Sequence, residues 1–208
     1  MELQQVKAMV EQRRGEFLLL QREKDRKTLV LEELIKEQLR VEQAREIINL
    51  VAQKTQTQLE EYISDVVTSA LEIVFNEPYK FHIEFVQRRN KTEADLFFTK
   101  GEHRISPLDA SGGGVINVAD FALRVGLLML STNRKVLILD EPFNFLHSKV
   151  FHQRVANLLE VISKQTGIQI IMITGKGDSE EIISKADKVF KVVKSKGISK
   201  VEELVYPG

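Results

Sequence analysis

Apolar and charged residues alternate at helical spacing along the first 75 positions of the chain. This stretch is rich in Glu, Gln, Lys, Arg and Leu, contains no Pro, and has one glycine, Gly15. A spacing of three and four residues predicts a coiled-coil helix over residues 1–75, about 100 Å long at about 1.5 Å per residue. The seam of this helix runs through Leu3, Val6, Val10, Arg13, Phe17, Leu20, Lys24, Lys27, Leu31, Leu34, Gln38, Val41, Arg45, Ile48, Ala52, Thr55, Leu59, Tyr62, Val66, Ser69 and Ile73.

Two interpretations of this helix remain open. It is either the arm of a coiled coil or a long helix that packs on its own domain. The heptad phase persists much longer than in ordinary globular helices, which favours the arm, although the charged run from Arg22 to Lys27 weakens the seam. An arm needs a second helix to bury its apolar seam, and these 208 residues contain no second heptad stretch.

After residue 75 the hydrophobic pattern changes to short strands and helices. Asn76-Glu77-Pro78 ends the first helix, because proline does not continue one. Strands alternating with helices predict an α/β fold with a partly parallel sheet over residues 76–208, as a domain beside the 1–75 arm. The predicted strands are 80–86, 94–99, 136–139, 168–174, 188–193 and 198–205, the predicted helices are 115–130, 148–165 and 179–185, and polar turns are predicted at 88–93 and 100–103.

A glycine-rich turn precedes the helix predicted at 115–130. It reads Asp109-Ala110-Ser111-Gly112-Gly113-Gly114. Backbone N–H groups at a helix start and the helix dipole both favour a phosphate, so this turn is a candidate anion site. Glycine lets the backbone approach a ligand closely, and the Ser111 hydroxyl is suited to donate to a phosphate oxygen. An ordinary loop with Ser111 as the helix N-cap accounts for the same residues.

Two acids, Asp140 and Glu141, follow the apolar strand at 136–139 and precede Pro142. A carboxylate pair at the carboxyl end of a buried strand suits a Mg2+ ligand beside a general base. Two acids that cap a strand in a solvated loop are the alternative. The chemical interpretation is favoured because the glycine-rich turn lies upstream with one predicted helix between.

Composition narrows the classes of function. Lys plus Arg (30) balance Asp plus Glu (30), so a contact with nucleic acid must come from a local patch. The turn with Arg88, Arg89 and Lys91 is a candidate for that contact, and a solvated charged turn is the alternative. The chain has no Cys, which excludes disulfides and thiolate metal sites and fits a cytoplasmic protein. No apolar run reaches the ~20 residues of a membrane helix, and no signal-peptide pattern opens the chain, so we expect no membrane partner.

The glycine-rich turn and the strand with its two acids resemble the signature motif and the Walker B motif of ABC-type ATPases. Together with the heptad arm, their order is similar to the C-terminal half of an SMC-like ATPase of the DNA recombination and repair type. Segments 88–96, 109–114 and 120–125 look particularly like phage-encoded members. The implied fold class is α/β: an ABC/SMC-type ATPase C-terminal lobe, with a P-loop NTPase-like sheet, flanking helices and a long N-terminal coiled-coil helix.

The same resemblance implies a role for each site residue. Asp140 would hold Mg2+, and Glu141 would position and deprotonate the attacking water as the catalytic residue. The γ-phosphate of ATP held by the opposite head of a dimer would be bound by Ser111, Gly112, Gly113 and Gly114.

Several positions depart from the family pattern. Ala110 replaces the usual Leu of the signature, Gly114 replaces a Glu or Gln, His147 replaces the Asp of the D-loop, and Gly175 replaces the switch histidine. The most consequential departure is the absence of a Walker A loop, whose pattern is Gly, four residues, then Gly-Lys-Ser/Thr. The nearest Gly-Lys pair, at Gly175, is followed by another glycine and does not fit.

We therefore expect half of an SMC-like ATPase head that acts in DNA recombination, repair or replication. ATP and Mg2+ are expected only in a head that a Walker A-bearing N-terminal lobe or sibling chain completes and that pairs head to head, with DNA as a candidate partner. The expected location is the cytoplasm, the host's if the protein is phage-encoded. The alternative is a non-catalytic SMC-head-like binding protein that docks on another ATPase and regulates it. An ABC transporter subunit is disfavoured, because a long arm has no place in that architecture.

Overall fold

The computed structural model describes residues 3–77, 79–89, 91–107, 112–175 and 180–204. By its internal packing the chain divides into two compact units, Met1–Thr55 and Gln56–Gly208. Helix α1 (Leu3–Val74) contributes residues to both units and confirms the predicted long N-terminal helix. Every described residue of the first unit is exposed, so the apolar seam of this unit has no cover within the described chain.

The second unit contains the elements β1 (Tyr79–Arg88), β2 (Lys91–Lys100), β3 (His103–Ile105), α2 (Gly113–Leu130), β4 (Val136–Asp140), α3 (Lys149–Thr166), β5 (Gln169–Ile173), α4 (Glu180–Ile183), β6 (Val189–Ser195) and β7 (Ile198–Leu204). Its described strands form an antiparallel sheet β1–β2–β3, a parallel pair β4–β5 and an antiparallel pair β6–β7. The α/β fold class is confirmed, and β4–β5 supplies the expected parallel pairing, but among the described strands this pair is separate from the two antiparallel sheets. The sequence did not predict β3, which begins at the end of the turn predicted at 100–103 and pairs with β2.

The polar turn predicted at 88–93 is wrong in extent, because both strands continue into it. Arg88 pairs with Lys91 in the β1–β2 register, so the turn is only two residues long. The Arg88 guanidinium donates to both carboxylate oxygens of Asp95, at 2.7 and 2.6 Å. This cross-strand ion pair extends the ladder past the point where polarity alone predicts its end.

The hydrophobic core lies around α2 and the last turns of α1. Ile63, Val67 and Leu71 of α1 are at most 1% exposed, as is Phe121 of α2. Within the described residues, α2 is the helix that is long and apolar enough to qualify as a membrane span by length and composition alone. Its buried face packs in this core, which accounts for its apolar character.

The C-terminal end of α1 is fixed by α3. The Arg154 guanidinium donates to the carbonyl oxygen of Val74 at 2.9 Å. This carbonyl is one of the last in the helix, which lack intrahelical partners. The rings of Phe75 and Phe151 pack beside this bond with centroids 5.1 Å apart. Both contacts fix the position where the chain leaves α1 and turns into β1.

The outer edge of β1 is bonded to side chains of α1. The backbone N–H groups of alternate strand residues donate to α1 acceptors spaced four apart: Phe81 to Thr68 Oγ1 (3.0 Å), Ile83 to Ser64 Oγ (3.4 Å) and Phe85 to Glu60 Oε1 (2.7 Å). Two strand residues span roughly 6.8 Å and four helix residues roughly 6 Å, so the two repeats match. The helix thereby satisfies donors that an edge strand would otherwise leave open.

This side-chain ladder yields a test with a neighbouring control. We expect Glu60→Ala to lower the free energy of unfolding by about 1–3 kcal/mol, because the partly buried N–H of Phe85 loses its acceptor. Glu61→Ala removes an adjacent, exposed carboxylate and should change stability by less than about 0.5 kcal/mol. Urea unfolding followed by circular dichroism measures both variants. Equal stability of the two variants would contradict a structural role for the ladder.

Candidate functional site

The two acids lie where β4 and β5 end side by side. Asp140, the last residue of β4, pairs with Ile173 in the parallel register. The backbone N–H of Glu141 donates to the Ile173 carbonyl at 2.9 Å, so β5 also fixes the residue after the strand. Both acids are exposed. Carboxyl ends of parallel strands share one edge of a sheet, which is where ligands bind in open α/β folds.

Glu141 has a backbone conformation that is unusual for a side-chain-bearing residue. Its φ is +42°, in the left-handed region. This conformation costs a non-glycine residue about 1–2 kcal/mol. Residues held in such conformations cluster at functional sites, where the surrounding structure imposes them. The hydrogen bond to Ile173 and the turn that follows, in which the Asn144 N–H donates to the Glu141 carbonyl at 3.3 Å, hold it here.

Gly175 lies directly beside the Glu141 carboxylate. A Cβ atom built on Gly175 would be 3.4 Å from Glu141 Oε1. The residue at the predicted switch position is therefore adjacent to the predicted catalytic acid. Because glycine has no side chain, it offers no imidazole to a phosphate at this point.

The predicted signature glycines pack against residues 143–147, which follow the predicted Walker B strand. These residues occupy the D-loop position of the family and are called the D-loop segment below. Gly112 is the N-cap of α2, while Gly113 and Gly114 form its first turn. A Cβ on Gly113 would lie 2.8 Å from the Phe145 ring, and one on Gly114 would lie 2.6 Å from a Leu146 methyl. These two glycines therefore permit a close approach of α2 to the D-loop segment. Ser111, the remaining predicted signature residue, lies outside the described residues.

Two side chains that the sequence did not single out hold the D-loop segment in place. Asn117 of α2 accepts the Phe145 N–H through Oδ1 at 3.2 Å. Phe143 is buried and meets Phe121 edge-on, with ring centroids 5.5 Å apart. The signal for Asn117 was the one amide side chain in α2, one helical turn after the glycines. The structure thus joins the signature helix and the Walker B turn in one packed unit.

The candidate metal ligands among the described site residues are exposed carboxylates. Among the described residues, no three His, Asp or Glu side chains meet in a metal-binding cluster. Mg2+ in nucleotide sites is commonly bound by one or two carboxylates together with phosphate oxygens. Asp140 fits that partial role, whereas a complete protein cage does not exist in the described part of the chain.

The turn with Arg88, Arg89 and Lys91 has fewer cations free to bind a phosphate than its sequence suggests. Arg88 is bound by Asp95 and also lies 3.3 Å from Glu93. Hydrogen bonds from Arg88 hold the pKa of the Asp95 carboxyl below its ordinary value. Arg89 and Lys91 make no ion pair with the described residues, so they are the remaining cations of this turn for a phosphate contact.

His147, the residue at the D-loop Asp position, is exposed.

Solved structures that are similar to this chain include SMC head domains. One comes from work on ATP-driven dimerization and DNA-stimulated activation of SMC ATPases; it is 19% identical with a TM-score of 0.56, over 73% of this chain and 89% of that one. The Pyrococcus furiosus Smc head with an extended coiled coil, bound to the C-terminal domain of ScpA, is 20% identical with a TM-score of 0.59, over 76% of this chain and 39% of that one. The Pyrococcus yayanosii Smc head with a coiled coil and joint is 18% identical with a TM-score of 0.60, over 77% and 30%.

The fold is that of an SMC head. At these identities the likeness concerns the fold alone, and the chain spans less than half of the two Pyrococcus chains. No protein-family model matches the chain. No curated protein matches it in sequence.

The packing of the signature glycines yields a second test. We expect Gly113→Ala and Gly114→Ala each to lower the free energy of unfolding by about 1–3 kcal/mol, because the added methyl overlaps the D-loop segment. Gly112→Ala is the matched control, since nothing lies within 4 Å of its Cβ position. Denaturant unfolding of the three variants measures the difference. If Gly112→Ala is as damaging as the other two, close packing is not the function of these glycines.

Proposed function

We propose that this chain is half of an SMC-like ATPase head, which hydrolyses ATP only when a Walker A-bearing lobe completes it and two heads pair. The arm and the lobe, divided near residue 75, would correspond to the returning coiled-coil arm and the signature and Walker B lobe. The single observation that carries this proposal is an unfinished parallel sheet that ends in Asp140 and Glu141.

One face of the β4–β5 pair packs on the core, while the other is apolar and open. The inner face carries Leu137 and Leu139 of β4 with Ile170 and Met172 of β5. The open face carries Val136 (37% exposed), Ile138 (69%), Ile171 (46%) and Ile173 (58%). Parallel sheets are almost always covered on both faces, because their strands are apolar on both sides. An open face of this kind supports the proposal that a second lobe covers it.

The chemistry assigned to the completed head follows from the positions of the acids. Asp140 would hold Mg2+ bound to ATP, and the ion would neutralise charge on the phosphates. Glu141 is exposed at the strand end and is held by its backbone bond to Ile173. That geometry suits a base that orients an attacking water. The signature residues Ser111, Gly112, Gly113 and Gly114 would serve the nucleotide of the opposite head.

A role in DNA recombination, repair or replication, in a phage-encoded member, rests on the motif resemblance. The fold supports the coarser part of it, since one structure with this fold belongs to work on DNA-stimulated SMC ATPases. DNA would be bound through its phosphates and therefore in a salt-dependent manner. Arg89 and Lys91 are the candidate contacts, because Arg88 is bound by Asp95.

A non-catalytic regulator is the second candidate function. The observation that favours it is the contact of Gly175 with Glu141, which leaves the acid without a neighbouring histidine. A head-like protein with this site could bind a sibling head and alter its cycle. The retention of both Asp140 and Glu141 favours the catalytic proposal instead.

Reconstitution distinguishes these two functions. We expect the purified chain alone to show no ATP hydrolysis, and a mixture with a neighbouring-gene product that carries Walker A to hydrolyse Mg-ATP. Glu141→Gln should retain ATP binding by the mixture and reduce turnover by about 10²-fold or more, because the general base is lost. Phosphate release and nucleotide binding are measured in parallel. A complex that forms but never binds ATP would leave the regulator as the explanation, and hydrolysis by the lone chain would contradict the split site.

The open sheet face can be tested separately from catalysis. We expect the double variant Ile138→Lys and Ile173→Lys to lose binding to the Walker A lobe, because two charges would be buried at the lobe interface. Val150→Lys is the control, since Val150 is 57% exposed but lies on α3. Co-purification measures binding, and circular dichroism verifies that each variant folds. Full binding by the double variant would show that this face is not the lobe interface.

A further inference from the structure

The first unit carries a second heptad seam on the face of α1 away from the first. We call it the outer seam. Like the first seam, it advances by alternate steps of four and three residues. At the 3.5-residue period of a coiled coil it lies roughly 150° around the helix from the first seam. The outer seam consists of Leu18, Arg22, Asp25, Leu29, Glu32, Lys36, Leu39, Gln43, Glu46 and Leu50.

The outer seam is exposed along its whole length. Its four leucines are 47%, 64%, 54% and 59% exposed, in chain order. A partner helix on the first seam would leave these leucines in water, because a two-stranded coil buries one stripe of each helix. Arg22, Glu32, Lys36 and Glu46 make no ion pair within the described residues. Both the apolar and the charged groups of the seam are therefore free to bind another helix.

The order of residues in this seam is complementary to its own reverse. Positions equally far from residue 34 pair leucine with leucine, at 18 with 50 and at 29 with 39. They also pair opposite charges, Arg22 with Glu46 and Glu32 with Lys36, while Asp25 meets Gln43. A two-fold contact has this property, since residue i of one copy meets residue j of the other and j meets i.

Orientation follows from the same charges. In a parallel, in-register pair, Arg22 would face Arg22, Glu32 would face Glu32, and Lys36 would face Lys36. Like charges at adjacent positions oppose association, whereas the antiparallel register places opposite charges together. Both arrangements place leucine against leucine, so the charges decide the orientation.

We propose that the outer seam binds the outer seam of a second copy of this chain, antiparallel and centred on residue 34. The first seam remains available for its own partner helix. The register places the Leu50 ends of the two copies at opposite ends of the contact, so two heads that pair would come from different arm pairs. This inference concerns the arm alone and does not depend on the proposed ATPase function. Its failure and the failure of that function would therefore be separate results.

Disulfide cross-linking tests the register on the full chain. Because the chain has no Cys, single cysteines report single positions. We expect Leu29→Cys mixed with isotope-labelled Leu39→Cys to form mainly the mixed 29–39 disulfide under mild oxidation. Leu19→Cys replaces Leu29→Cys in the control, since Leu19 is 65% exposed but lies outside the outer seam; it should give little mixed product. Mass spectrometry identifies the linked chains.

Charge reversal tests the same register without cysteine. We expect Arg22→Glu or Glu46→Arg alone to weaken self-association roughly tenfold, because each change places like charges together twice in the two-fold pair. The double reversal should restore the affinity to within about threefold of the original chain. Sedimentation equilibrium measures the dissociation constants, and helical circular dichroism verifies each variant.

Three results would overturn the proposal. One is a product dominated by 29–29 or 39–39 disulfides, which indicates a parallel pair. Another is mixed product at position 19 equal to that at position 29. The third is a double reversal as weak as either single reversal, since rescue is the signature of a direct Arg22–Glu46 contact.

Discussion

The described lobe depends on the attachment of its edge strand to a helix. Three acceptors on α1, at Glu60, Ser64 and Thr68, bind alternate N–H groups of β1. This works because the step of two strand residues nearly equals one helical turn. The ladder, together with the Arg154 bond to the end of α1, fixes where the helix lies against the sheet. The core that packs on α2 follows from that placement.

A second constraint connects the two sequence motifs. Gly113 and Gly114 leave no space for a side chain between α2 and the D-loop segment. Asn117 and the buried Phe143 fix that segment from the helix side. A ligand bound at the helix start would therefore be linked by rigid contacts to the turn after Asp140 and Glu141. The glycines therefore have a packing role that is independent of any ligand.

The open surfaces of the protein indicate an assembly. The apolar residues of the β4–β5 open face and of both seams of α1 in the first unit are exposed within the described chain, and contiguous exposed apolar surface favours association. These surfaces differ in the kind of partner that suits them. The sheet face suits a second lobe that also brings the missing phosphate cradle, whereas the outer seam matches its own reverse and suits a second copy.

The sequence by itself determined the long helix, the order of strands and helices apart from β3, and the positions of the two acids at a strand end. These features arise from local periodicity and from residue types that recur at fixed spacing, so they are visible without contacts. Ser111 lies outside the described residues, and its predicted role stays a prediction. The fold class was also accessible, since the motifs occur in a characteristic order.

Only the tertiary structure decided how these parts meet. It placed Gly175 against Glu141, gave Glu141 a left-handed backbone, and set the signature glycines against Phe145 and Leu146. It also continued β1 to Arg88 through the ion pair with Asp95. Apart from the Arg88–Asp95 pair, which joins neighbouring strands of one hairpin, each of these depends on residues distant in sequence that come within a few ångströms. Such contacts are set by packing and by long-range hydrogen bonds, which no local pattern of hydrophobic and polar positions encodes.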